Sequence, residues 1–105
     1  MQMIISGRGV VLTTAFKDAM TRKVGRLAPL LPRFTEARAT CTAEKFRRTV
    51  RVTLRARRGV FSSTATTTDL MTAVDAAVES LARQVRRAKD RRRRGARRSR
   101  TGRAA

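Results

Sequence analysis

The side chains with the clearest chemical potential are cationic. Arg83, Arg86, Arg87 and Lys89 fall within seven residues, and several are three or four apart, the spacing that makes neighbours on a helix. Guanidinium groups placed this way grip phosphate with paired hydrogen bonds and can also stack on bases. A charged helix face is commonly just solvated and laced with ion pairs. Here Asp90, immediately after the run, is the one acid from Arg83 onward. Like charges three and four apart repel by a few tenths of a kcal/mol per pair. A sequence that carries this cost points to a phosphate partner. The run RRRRGARRSR at Arg91–Arg100 adds charge with less specificity, and reads as an RNA-binding arm or a solubility tail. Arginine outnumbers lysine 22 to 4, which favours two-pronged phosphate contacts, although genome base composition produces the same bias.

Other chemistry is sparse. There is no His, so the commonest general base and metal ligand is missing. Asp75 and Glu79, four apart, could pass for paired carboxylates. Without His or metal-spaced partners they read as surface charge or as partners for Arg83. Cys41 alternates with alanines and reads as buried and inert. A single cysteine closes no intrachain disulfide and builds no zinc cluster, which fits a reducing cytoplasm. No apolar run approaches the roughly 20 residues that a membrane span needs, and no signal core opens the chain. The expectation is a cytoplasmic protein with no catalytic residues, no metal site, no cofactor, no small-molecule substrate and no membrane partner.

These groups need a scaffold. The chain has 105 residues, 41% of them hydrophobic, enough for one small core. Its 26 Lys and Arg against 7 Asp and Glu give a net charge of +19. Such a balance argues for a polyanionic partner. From Arg83 onward there are 12 basic residues and one acid. From Gly95 the sequence has no apolar periodicity, and 95–105 is expected to be a disordered Arg-rich tail in the free chain, leaving 1–94 as the domain.

MQMIISG reads as a strand with Met3 and Ile5 inward, ending at Gly7. Thr13 or Thr14 can cap a helix carrying Phe16, Met20, Val24 and Leu27. Pro29 should end it near Leu27 or Ala28. Three alternating stretches follow, at 36–45, 49–58 and 59–67. They place Ala37, Ala39, Cys41 and Ala43, then Val50, Val52, Leu54 and Ala56, then Phe61, Ser63 and Ala65 on one side. Short connections imply an antiparallel meander. Asp69 then caps a long helix striped with Leu70, Val74, Ala77, Val78, Leu81 and Val85. The order is β-α-β-β-β-α, an α+β sandwich with two helices on one face of a four-stranded sheet, resembling a double-stranded-RNA-binding fold. The open face would carry Arg51, Arg55 and Arg57. With Arg22 on the first helix, they form a secondary basic surface. An RNA-recognition-motif platform is disfavoured, because stacking aromatics are missing from that face and the strand order differs.

With these residues in view, the sequence resembles the ribosome hibernation-promoting factors and ribosome-associated inhibitors. The likeness runs from Met1 to about Arg94. MQMIISG resembles the family's start and VVLTTAFKDAMTRKVGRL its first helix. The most specific stretch is DLMTAVDAAVESLARQVRRAKD, with Asp69, Ala73, Val74, Asp75, Leu81, Arg83 and Gln84 leading into Arg87 and Lys89. Met71 stands where members often have an aromatic; Leu30 and Leu31 lie near other such positions, and Pro29 is unexpected. The resemblance implies binding in the small-subunit channel used by messenger RNA and the A- and P-site transfer RNAs, in stress or stationary phase. It implies Lys23 and Arg26 on the first helix, and Arg83, Arg87 and Lys89 on the second, as contacts to ribosomal RNA; Arg86 and Arg91, from the basic run itself, join them as expected contacts. It further implies a short-form member, monomeric when free. The alternative is a nucleoid-type double-stranded nucleic-acid binder driven by the Arg-rich tail.

Overall fold

The computed structural model describes residues 2–30, 34–57 and 59–104, with side chains given to Asp90 apart from that of Phe34. Its elements are β1 (Gln2–Arg8), α1 (Thr14–Gly25), a 3-10 turn at Ala28–Leu30, β2 (Phe34–Glu44), β3 (Arg47–Ala56), β4 (Gly59–Thr67) and α2 (Leu70–Ala104). The sheet order is β1-β2-β3-β4. β1 and β2 are parallel, joined by the α1 crossover; β2, β3 and β4 form the antiparallel meander.

Alternation sets the two faces. Ala37, Ala39 and Cys41 on β2, and Val50, Val52 and Leu54 on β3, are all buried. Register pairs small with large, Ala37 opposite Leu54 and Cys41 opposite Val50, so the layer fills evenly. Met20, Val24 and Leu27 cover it from α1 and the residues after it; Ala73, Val74, Ala77, Leu81 and Val85 cover it from α2. Each fully buried Val or Leu stabilises by about 1.5–3 kcal/mol. The expected stripes hold, with Phe16, Leu70 and Val78 half-buried at their margins.

The caps follow from hydroxyl and carboxylate chemistry. Thr13 Oγ1 accepts from the Phe16 N–H at 3.1 Å. Asp69 Oδ2 accepts from the Thr72 N–H at 2.9 Å and from its hydroxyl at 2.8 Å. The amide bond first, then the hydroxyl, hold the Asp69 carboxyl below its ordinary pKa. α1 ends at Gly25, two or three residues before the expected stop, because Arg26 caps it and a 3-10 turn absorbs Pro29. β3 begins and ends two residues earlier than expected. Its partner strand turns at Lys45–Phe46, where Lys45 adopts a φ of 53°. Arg58 and Leu31 fall outside the described residues.

Gly9 carries the exit from β1. Its φ is 72°, and a Cβ there would lie 2.7 Å from the Ala43 carbonyl oxygen. Only glycine meets both conditions without strain.

α2 continues to Ala104, through the segment from Gly95 expected to lack regular structure in the free chain. Val85 is the last buried residue among those whose side chains are described. Past the end of the core, helix rests on its own backbone bonds and on arginine's good propensity. Both helices start at the sheet end bearing the Lys45–Phe46 turn and run toward the β3–β4 end. β4 leaves the sheet opposite Arg48 just before α2 begins, and Gln84 Nε2 donates to the Ser62 carbonyl near the far end of β4.

Candidate nucleic-acid interface

The last turn of α1, the 3-10 turn and the middle of α2 frame a cleft of about 260 Å³. Its floor is apolar, from Leu27, Leu30, Val78 and Ala82. Its rim is ionic: Lys23, Arg26 and Arg86 against Asp75 and Glu79. Three of the residues expected to bind RNA therefore meet around one cleft, although they come from two elements some 60 positions apart in the chain.

The rim cations are not equivalent. Lys23 is half-buried, and its Nζ pairs with Asp75 Oδ1 across the two helices. Arg83 Nη1 lies 3.5 Å from Glu79 Oε1, four residues back on the same helix. Both partners of that second pair are well exposed, so it contributes only a few tenths of a kcal/mol and breaks readily for a phosphate. The ion pairs among the described residues include none with Arg26, Arg86, Arg87 or Lys89. All four are exposed.

Helix geometry divides the α2 cluster. Lys89 follows Ala82 by seven residues and so continues the edge that borders the cleft with Arg86. Arg87, three residues on from Gln84, lies toward β4, whereas Arg83 pairs with Glu79 of the cleft rim and faces outward between the two edges. The result is a broad basic face that wraps from the cleft edge toward β4 rather than a single stripe. Arg91 continues α2, and its side chain lies outside the described ones. Arg22 and Lys23 occupy the last turn of α1, where cations also complement the helix dipole, which gives them a structural use as well.

The four residues read as a secondary basic surface do not form one. Arg51 and Arg55 share the open sheet face, Arg57 lies in the turn after β3, and Arg22 is exposed on α1 across the sheet. Alternation along one strand groups Arg51 with Arg55 correctly, but it carries no information about a helix on the other layer. On the open face Arg51 Nε donates to Ser62 Oγ at 3.4 Å, beside a Thr53–Ser62 contact of 3.2 Å and a Thr49–Thr66 contact of 3.0 Å. Asp75 and Glu79 serve as ion-pair partners, Glu79 for Arg83 as expected and Asp75 for Lys23 instead. Cys41 is fully buried, and burial pushes its thiol pKa up.

An exposed aromatic escaped the sequence reading. Phe46 stands 84% exposed at the tip of the β2–β3 turn. The signal was present as Lys45-Phe46-Arg47-Arg48, an aromatic among cations between two alternating stretches.

Comparison with known proteins places this geometry. The family model described as "Sigma 54 modulation protein / S30EA ribosomal protein" matches residues 3–93. The ribosome hibernation promoting factor of Escherichia coli (strain K12) is 30% identical over 90 residues, covering 86% of this chain and 95% of that protein. The fold is shared with a ribosomal subunit interface protein from Coxiella burnetii, at a TM-score of 0.76 and 17% identity over 86% of this chain and 99% of that one. It is shared also with the N-terminal domain of Protein Y from Thermus thermophilus, at a TM-score of 0.73 and 24% identity over 79% and 92% of the two chains. The sequence match takes in α1, all four strands and α2 as far as residue 93, and the chain belongs to the Sigma 54 modulation protein / S30EA ribosomal protein family.

Proposed function

We propose that this chain is a ribosome-binding translation inhibitor of the hibernation type, which occupies the messenger and A/P-site transfer RNA channel of the small subunit under stress or in stationary phase. Within the family framework, the observation that carries this reading is the convergence of Lys23, Arg26 and Arg86 on one cleft, with Arg83, Arg87 and Lys89 on its flanks. The mechanism is occlusion. A stiff sandwich seats its basic end on ribosomal RNA phosphates and fills space that message and transfer RNA need. Recognition is by RNA shape and charge, since phosphate contacts position a protein without reading sequence. The bound unit is the domain at 1–94, monomeric when free and cytoplasmic. The segment from Gly95 adds an Arg-rich arm that follows the RNA backbone, with Arg91 leading into it.

Replacing Arg26, Arg86, Arg87 and Lys89 together by Ala tests the reading. All four are exposed, so melting should be unchanged. Co-sedimentation with vacant small subunits should fall, and the log–log salt slope should drop by about 3, at roughly 0.7–0.9 per phosphate contact. A variant that still co-sediments and still inhibits translation refutes this site. If instead truncation after Asp90 abolishes all binding and duplex DNA competes as well as ribosomes, the chain is a general nucleic-acid binder.

A further inference from the structure

The β2–β3 turn presents an aromatic ring that the core does not use. Phe46 forfeits the stabilisation that burial of a Phe supplies. The turn holding it is tight, closed by the Glu44–Arg47 pair. It is also strained, since Lys45 holds a left-handed φ of 53°. Arg48 braces it: its Nη1 donates to the Lys45 carbonyl at 3.0 Å and to the Arg47 carbonyl at 3.2 Å. The ring is thus carried on a fixed tip rather than a loose loop.

Its surroundings are cationic. Lys45, Arg47 and Arg48 adjoin it against the single acid Glu44, and none of these four enters an ion pair among the described residues. A concavity of about 320 Å³ opens beside the ring, lined by Glu44, Lys45, Phe46 and Arg47. Nucleobases stack on such rings whatever their identity, while flanking cations hold the backbone. Paired RNA keeps its bases inside the stack, so the complementary ligand is an unpaired base. A protein interface would call for a continuous apolar centre depleted of charge, whereas here the ring's chain neighbours are Lys45 and Arg47.

We propose that the Lys45–Arg48 tip is a second RNA contact, in which Phe46 stacks on an unpaired nucleobase while Lys45 and Arg47 hold the adjoining phosphates. The proposal rests on the ribosomal RNA reading above, but it concerns a separate place. β3 alone separates the tip from the opposite end of the sheet, about 30 Å at roughly 3.3 Å per residue. Binding at both ends would fix the orientation of the domain on its RNA, which one basic end cannot do.

The chain has no Trp and no Tyr, so Phe46→Trp installs a sole reporter. Its fluorescence should be quenched by vacant small subunits and by a short oligouridylate. Phe46→Ala should keep the melting temperature and weaken subunit binding by about 5- to 150-fold, the range for losing one stacked base. Phe46→Leu should bind as weakly as the Ala variant, and Phe46→Trp as tightly as the parent, since stacking needs a ring rather than bulk. If the Trp is unquenched and Phe46→Ala binds subunits normally, while the four-residue helical variant does not, the tip proposal is overturned and the channel reading stands. If subunits bind none of these proteins yet oligouridylate still quenches the Trp, the channel reading fails and the tip contact stands. If Phe46→Ala keeps its RNA affinity and loses only a protein contact, the tip proposal is again overturned.

Discussion

Lys23 has two possible employers, and Asp75→Asn separates them. The Lys23–Asp75 pair links α1 to α2 at the rim of the cleft, with side chains 27% and 56% exposed. At that exposure the pair is screened, so its loss should cost under about 1 kcal/mol of stability. The amide keeps the shape of Asp75 and removes its charge. Lys23 Nζ is then free for a phosphate, and the rim gains one net positive charge. One further phosphate contact adds roughly 0.7–0.9 to the log–log salt slope, which at about 0.1 M salt corresponds to about sixfold tighter binding. The assay is equilibrium binding of labelled protein to vacant small subunits over a salt series, beside a urea melt. Asp75→Asn should bind more tightly and with a steeper slope, and adding Lys23→Ala should remove the gain. Equal or weaker binding with an unchanged slope would show that Lys23 is a tie between helices, held in place by Asp75, and not an RNA ligand.

Three further outcomes follow from the fold. Gly9→Ala should destabilise by at least about 1–2 kcal/mol from the left-handed backbone alone, with the Ala43 carbonyl contact adding more; a urea midpoint equal to the parent's would refute the geometry. The Asp69 carboxyl has a lowered pKa in the folded state, so its stabilisation is complete above its unfolded value near about 4 and fades as pH falls through the lower folded value. Melts of Asp69→Asn against the parent should therefore converge in acid, and a gap that stays constant with pH would contradict the cap. Cys41, buried on β2 with its pKa raised, should resist thiol reagents in the native protein and react fully in denaturant.

The strands were legible because alternation is a local signal: the bounds read for β4 from sequence, 59–67, are those observed. The turn before β3 was not, because Lys45 and Phe46 are not turn formers, and the chain bends there by accepting a positive φ at Lys45 rather than through glycine or asparagine. The stop of α1 was placed by Pro29, but Arg26 closes the helix sooner. The basic residues on α2 were legible as a cluster, since charge density needs only neighbours in sequence. Their division into a cleft edge and a β4 edge needs the helix phase relative to the sheet, which Gln84 on Ser62 records. The Lys23–Asp75 pair spans 52 positions, and no spacing rule reaches that far. Grouping Arg22 with Arg51, Arg55 and Arg57 joined two layers and a turn, because charge counted along a chain ignores which layer carries it.

Occlusion is tested most directly by competition on the ribosome. Small subunits are loaded with message and labelled transfer RNA, and the protein is added to saturation at modest salt. Release of the transfer RNA in proportion to protein bound is the predicted result. Stable co-occupancy, with both ligands retained on the same subunit, would contradict it.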